Sequence, residues 1–197
     1  MRSKALILLI LSASLALTAC SAGTAIGSGA GGSSSKPESS LASAVELGGQ
    51  FNEETFDKLC ENITLGDKKI SLPFTISDLG EGYELADAKG VIAVIRHNGT
   101  TIAACGISPG DSQQTIDEGS EITTLMVYKS DGEEAAKSSF GGITFESSKA
   151  DIISALGEPS SEDDNDTQVI LKYSLHSGGK LSFNINNDKL FSILIER

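Results

Sequence analysis

The clearest structural signal in this chain is VILKYSLHSGGKLSFNINNDKLFSILIE, which runs from Val169 to Glu196. Apolar side chains recur at every second position in three segments of it, and glycine-rich or Asn-Asn-Asp turns separate the segments. This period of two predicts three half-buried β-strands joined as a meander. Most of the alternate positions are polar, so one face of the predicted sheet should meet water. These outward positions are Lys172, Ser174, Ser182, Asn184 and Asn186.

Two helices are predicted from their capping residues. Ser148 and Asp151 have the spacing of a capping box, and a Gly-Glu-Pro sequence ends the apolar segment that follows them. The segment Asn52–Ile63 begins with an N-capping asparagine and carries a single apolar stripe. Phe51 and Phe56 have the spacing of a hydrophobic staple, which fixes the entry of the chain into this helix.

The segments between these helices predict further strands. Asn98-Gly99 lies between two β-branched runs, which is the strongest short-range signal for a β-hairpin. The acidic segment 162–166 is predicted to be a solvated loop. Additional strands are predicted at 63–65, 69–73 and 122–129, with a brief helix at 75–79.

A weak internal repeat relates the two halves of the folded part. Ile70-Ser-Leu72 and Ile143-Thr-Phe145 each precede a helical segment, a glycine-tipped hairpin and a last strand. We therefore expect an α+β fold in which helices pack on one face of an antiparallel sheet. Its building blocks would be two αβββ-type pseudo-repeats, at about residues 63–129 and 140–197.

The N-terminus has the layout of a signal peptide. Arg2 and Lys4 precede the apolar run Ala5–Leu17, which is shorter than the roughly 20 residues that span a bilayer. Leu17-Thr18-Ala19-Cys20 then resembles the lipobox of bacterial lipoprotein precursors. An ordinary secretory signal with an incidental cysteine fits less well, because bulky Leu17 stands where a small residue is preferred.

The lipobox resemblance implies a chemical role for Cys20. Residues 1–19 would be removed, the thiolate of Cys20 would take up a diacylglyceryl group, and the new amine would receive a further acyl chain such as palmitate. Two or more acyl chains hold a protein at a membrane far more firmly than one. The resemblance therefore predicts a lipid-anchored protein on the extracytoplasmic face of the cell membrane.

Composition separates this anchor from the folded part. Residues 20–48 are rich in serine and glycine and predict a flexible linker, and residues 49–197 predict one globular domain. The net charge of −12 becomes −14 once Arg2 and Lys4 are removed, with 13 basic against 27 acidic groups. Such a charge argues against nucleic acid as a partner and against electrostatic adsorption on anionic lipid.

The folded part carries a second resemblance. Gly142-Ile-Thr144, a short amphipathic helix, Leu156-Gly-Glu-Pro159 and three strands resemble the module of SmpA/BamE-like lipoproteins and the repeats of β-lactamase-inhibitor proteins. The match covers about residues 140–197, with a fainter copy in 70–128. This chain shows one clear helix per copy where those families usually have two. In its overall sequence character the chain also resembles surface lipoproteins of Gram-positive gut bacteria.

The remaining chemistry-bearing residues are few. Cys60 and Cys105 either form a disulfide, which an exported compartment permits, or are two buried thiols. His97 and His176 lie beside hairpin tips, where histidines are usually solvated. No zinc-ligand spacing, EF-hand loop, P-loop, dinucleotide fingerprint or nucleophile elbow is present in the sequence. The sequence therefore predicts a protein that is not an enzyme and that needs no metal or cofactor.

Two functions remain open. The first is a protein-interaction domain that presents its polar sheet face or its loops to another envelope or surface protein. The second is an extracytoplasmic small-ligand or glycan-binding accessory protein. Glycan sites usually use exposed aromatic side chains, and this chain has no Trp, three Tyr and seven Phe. The sequence therefore favours the first.

Overall fold

The structure is a computed structural model that describes residues 46–108, 115–165 and 167–197. The predicted signal peptide, Cys20 and all but the last residues of the predicted linker lie outside the described residues. The described part contains the helices α1 (Glu53–Glu61), α2 (Ile76–Leu79) and α3 (Lys149–Leu156), and two 3-10 turns at Lys129–Asp131 and Ala135–Lys137.

Twelve strands make up most of the described secondary structure. They are β1 (Ile63–Leu65), β2 (Lys68–Ile70), β3 (Tyr83–Lys89), β4 (Ile92–His97), β5 (Thr100–Gly106), β6 (Thr124–Tyr128), β7 (Ser139–Phe140), β8 (Ile143–Thr144), β9 (Ser161–Asn165), β10 (Gln168–Ser174), β11 (Lys180–Asn186) and β12 (Lys189–Glu196).

The strands form two antiparallel sheets. The small sheet has the order β2-β1-β7-β8, and the large sheet has the order β3-β4-β5-β6-β12-β11-β10-β9. Each half of the chain adds four consecutive strands to the large sheet, and the halves meet at the centre where β6 pairs with β12. Each half also adds one short hairpin to the small sheet.

The predicted α+β architecture is wrong. Strands hold 44% of the described residues and helices 19%, and the helices of the described part are short. The αβββ unit is wrong as well, because each half contributes two short strands, a helix and four long strands. Three of the missed strands have no apolar alternation to reveal them: β7 and β8 are two residues long, and β9 has the sequence Ser-Glu-Asp-Asp-Asn.

One hydrophobic core joins both sheets to the three helices. Its members include Leu59 of α1, Ile63 of the small sheet, Ile152 of α3 and Phe183 and Ile193 of the large sheet, and each of these side chains is almost fully buried. The small sheet and the helices together cover one face of the large sheet. This mixed covering layer replaces the purely helical one that the sequence predicted.

The predicted caps and turns are confirmed. The Asn52 side chain accepts a hydrogen bond from the backbone N–H of Thr55, and the Ser148 and Asp151 side chains form a reciprocal capping box at α3. The rings of Phe51 and Phe56 meet edge to face with centroids 5.9 Å apart. Asn98 and Gly99 adopt positive φ angles of 49° and 80° between β4 and β5.

Candidate functional site

The outer face of the large sheet is the main uncovered surface of the described part, and we call it the open face. One row of directly paired residues crosses all eight strands of this face. Directly paired residues lie on the same side of a sheet. From β3 to β9 the row reads Ala86, Val94, Ala104, Met126, Leu194, Ser182, Lys172 and Ser161.

The row changes character along its length. Its first five members are apolar, and all five are partly exposed. Their chain neighbours, such as Leu125 beside Met126 and Ile195 beside Leu194, are fully buried because successive side chains of a strand point to opposite faces. The last three members are polar. The open face is therefore apolar over β3 to β6 and β12, and polar over β9 to β11.

An apolar hollow of about 430 Å³ lies in the apolar part of this face. Ala104 and Gly106 of β5 form its floor, because these small residues stand between the larger side chains of β4 and β6. Ile92 and Met126 are among the side chains that wall it, and Glu196 is at its rim. Ile92 is 59% exposed, and among the described residues it is the large hydrophobic residue that faces water.

The charged side chains of the open face are largely paired with one another. Arg96 donates to Asp87 across β3 and β4 at 2.7 Å, and Lys180 donates to Glu196 across β11 and β12 at 2.8 Å. A third pair joins Lys172 of β10 to Asp163 of β9. These pairs are exposed and contribute little to stability. Their effect is to leave this face close to neutral on a strongly acidic protein.

A cluster of titratable side chains lies at one end of β3 and β4. The rings of Tyr83 and His97 stack with centroids 4.1 Å apart, and His97 Nδ1 lies 2.6 Å from Glu134 Oε1. The hydroxyl of Tyr83 shares its one proton between Asp67 at 3.2 Å and Glu134 at 3.3 Å. Burial, with the nearby carboxylates of Asp67 and Glu134, raises the pKa of the Tyr83 hydroxyl. The cluster ties the β1–β2 turn and the second 3-10 turn to the edge of the large sheet.

This cluster corrects the prediction for His97. The side chain of His97 is 21% exposed and bonded to Glu134, so His97 is not a merely solvated turn residue. Glu134 carried no sequence signal, because it lies 37 residues away in an irregular segment. Within the described ranges, no group of three or more His, Cys, Asp or Glu side chains is placed to hold a metal ion. Nor does a helix of these ranges have the length and apolar character to cross a membrane.

The acidic segment is also different from its prediction. Residues 161–165 form the exposed edge strand β9 and not a loop. Glu162 pairs with Lys149 of α3 and Asp163 with Lys172. Two of the three carboxylates of this strand therefore have protein partners.

Both cysteines of the folded part are buried free thiols in the structure. Burial raises the pKa of Cys60 to about 11, with Asp57 adding to the rise and Arg197 opposing it. Burial likewise raises the pKa of Cys105 to about 12. At neutral pH both side chains are therefore protonated and poor nucleophiles.

These thiols give a direct test of the two alternatives for Cys60 and Cys105. In the chain carrying Cys20→Ser they are the only cysteines. We expect no reaction with a chromogenic thiol reagent at pH 7 while the protein is native, and two reactive thiols per chain after denaturation, because unfolding removes the burial. Zero reactive thiols after denaturation without reductant would instead show a disulfide.

Raising the pH from about 9 towards about 11 should also destabilise the fold, because the thiols of the unfolded chain ionise at lower pH than those of the folded chain.

Comparisons of this chain with protein-family models, with curated proteins and with solved structures give no match. The resemblances to lipoprotein precursors, to SmpA/BamE-like modules and to β-lactamase-inhibitor repeats therefore stay predictions from the sequence.

Proposed function

We propose that this protein is a lipid-anchored lipoprotein of the cell envelope and that its folded domain is a non-catalytic protein-interaction module. Its partner docks on the open face of the large sheet. The observation that carries this proposal is the continuous row across eight strands, which leaves a broad surface with an apolar part, a polar part and an exposed isoleucine. Exposed apolar patches rimmed by polar residues commonly mark interaction sites.

The dimensions of the open face suit a protein partner. Seven steps between strands of about 4.8 Å make the row roughly 34 Å wide, and strands of about six residues are roughly 20 Å long. The face therefore offers on the order of 700 Å², close to the roughly 800 Å² that each partner contributes to a standard interface.

The surface hollows give less support to the small-ligand or glycan alternative. The hollow beside Ile92 and a second one of about 490 Å³ near Ser108 and Ser120 are both open to solvent. Ligand sites usually enclose most of their ligand and place a few convergent polar groups around it. The hollow beside Ile92 is open and mainly apolar, which fits an inserted protein side chain better.

Site-specific photo-crosslinking in intact cells tests the proposal. A photoreactive amino acid placed at Met126 or Lys172, one in each part of the open face, should give a covalent protein adduct. The same amino acid at Ala150, an exposed position of α3 on the covered side, is the matched control and should give none. Absence of any adduct from both open-face positions would contradict the proposal.

A further inference from the structure

We infer that the partner on the open face is a second copy of this chain, bound as a two-fold symmetric dimer. This inference rests on the proposed use of the open face as a docking surface and names its occupant. Three properties of the described residues support it: the placement of Ile92, the charge balance of the face and the size of the face.

The placement of Ile92 makes the face self-complementary. A two-fold interface brings the same patch of both copies together, so a projecting group must find its recess on an identical surface. Ile92 projects from β4 and is 59% exposed, and the hollow floored by Ala104 and Gly106 is directly beside it. A two-fold axis near this point places the Ile92 side chain of each copy in the hollow of the other. One contact is thus made twice.

The hollow exists because the part of β5 that lines it lacks large side chains. Gly106 is paired with Ile92 and Thr124, and a Cβ atom there would lie 3.3 Å from the backbone oxygen of Val91. Ala104 is paired with Val94 and Met126, which stand higher on either side. A second aliphatic side chain fits this recess and removes its surface from water.

The charge balance of the open face favours a second copy of the chain over a partner of opposite charge. A patch that meets itself brings like charges together, so a charged patch would repel its own copy. The open face avoids this because Arg96, Lys180 and Lys172 are each paired with a carboxylate on the same face, and because the opposite charges of Glu84 and Lys89 on this face offset each other. A face that recognised an oppositely charged protein would instead carry a net charge that steers the encounter. On a chain of net charge −12, a neutral face is where two copies can approach.

The size of the face is sufficient for a dimer. Complete overlap of two faces of roughly 700 Å² would bury about 1,400 Å² in total, which lies within the range of stable, specific interfaces. An axis near Ile92, at the start of the second strand of the sheet, gives partial overlap and therefore a smaller buried area. Crystal-packing contacts mostly bury less than about 800 Å² in total.

Sedimentation velocity tests this inference with the chain from residue 20 onward carrying Cys20→Ser, so that neither the apolar signal segment nor a lipid is present. We expect a monomer–dimer equilibrium over about three decades of concentration around the micromolar range. Ile92→Asp should weaken the dimer at least about 100-fold, because the lost contact is counted once in each copy. Ala150→Asp introduces the same group at an exposed position of α3 and should leave the dimer unchanged.

Several results would overturn the inference. A chain that stays monomeric at every concentration overturns it, and so does a dimer that Ile92→Asp and Ala150→Asp affect equally. Because Ile92 is exposed, Ile92→Asp should retain the thermal unfolding midpoint of the monomer, and Ile92→Ala offers a milder second variant with the same expected direction.

The photo-crosslinking experiment separates this inference from the proposed function. An adduct of twice the chain mass from Met126 supports both. An adduct with a different protein alone supports the interaction function and overturns the dimer, and no adduct at all overturns both.

Discussion

Replacement of Cys20 by alanine is expected to release the protein from the membrane fraction and to abolish its labelling by fatty acid. In the proposed lipoprotein the acyl chains would be attached through the thiolate and the new N-terminal amine of Cys20, so alanine would remove the site of the first step. The other possible means of attachment are weak. The apolar run Ala5–Leu17 is too short to span a bilayer, and the acidic chain is repelled by anionic lipid. The shift should therefore be nearly complete, as judged by immunoblotting of fractionated cells and by metabolic acyl labelling.

Cys60→Ala is the matched control for Cys20→Ala. Cys60 is fully buried in α1, so this change should leave fractionation and labelling as they are. Continued membrane retention of Cys20→Ala with unchanged labelling would refute the lipoprotein assignment.

The second large effect concerns stability and uses two neighbouring residues of β12. The side chain of Ile193 is fully buried on the covered face of the large sheet, whereas Leu194 is partly exposed on the open face. Ile193→Ala should lower the free energy of unfolding by about 2–5 kcal/mol, because it removes buried methyl groups and leaves a cavity. Leu194→Ala removes a side chain of the same size and should cost about 1 kcal/mol or less.

Chemical denaturation at low protein concentration measures this difference on monomers. Since domains of this kind are stable by only about 5–15 kcal/mol, the Ile193→Ala chain should show a large loss in midpoint. Equal losses for the two variants would mean that both faces of the large sheet are covered, which would remove the basis of the proposed docking surface.

The parts of the fold with strong local signals could be predicted from sequence. The caps Asn52 and Ser148 and the hairpin turn Asn98-Gly99 are stabilised by hydrogen bonds and backbone angles within a few residues, and they occur as predicted. The three last strands follow from their alternation of apolar and polar residues. Each of these features depends on near neighbours in the chain.

The parts that depend on distant neighbours could not be predicted in this way. β9 is a strand only because β10 pairs with it, and its own residues resemble those of a loop. β7 has only two residues, too few to show a periodic pattern, and it is a strand because it pairs with the distant β1. Without these strands, the local sequence pattern leaves only helices to cover the sheet.

The open face was only half predictable. Its polar side is predictable from the alternation of residues in the C-terminal meander. The polar positions are Lys172, Ser174, Ser182, Asn184 and Asn186. Its apolar side needed the registers of β4, β5 and β6, since Val94, Ala104 and Met126 become one surface only through pairing. Before pairing is known, such residues are indistinguishable from core residues.

The two outermost strands of the large sheet bear on how the protein avoids aggregation. Edge strands expose unpaired backbone groups that can recruit strands from other chains. On β9 an incoming strand would meet the carboxylates of Glu162, Asp163 and Asp164, and on β3 it would meet a break in register near Asp87, whose φ angle is 52°. Neither edge offers a straight, uncharged template. Even when many copies are crowded together, strand-by-strand growth into fibrils should be suppressed, and association should stay face to face and closed.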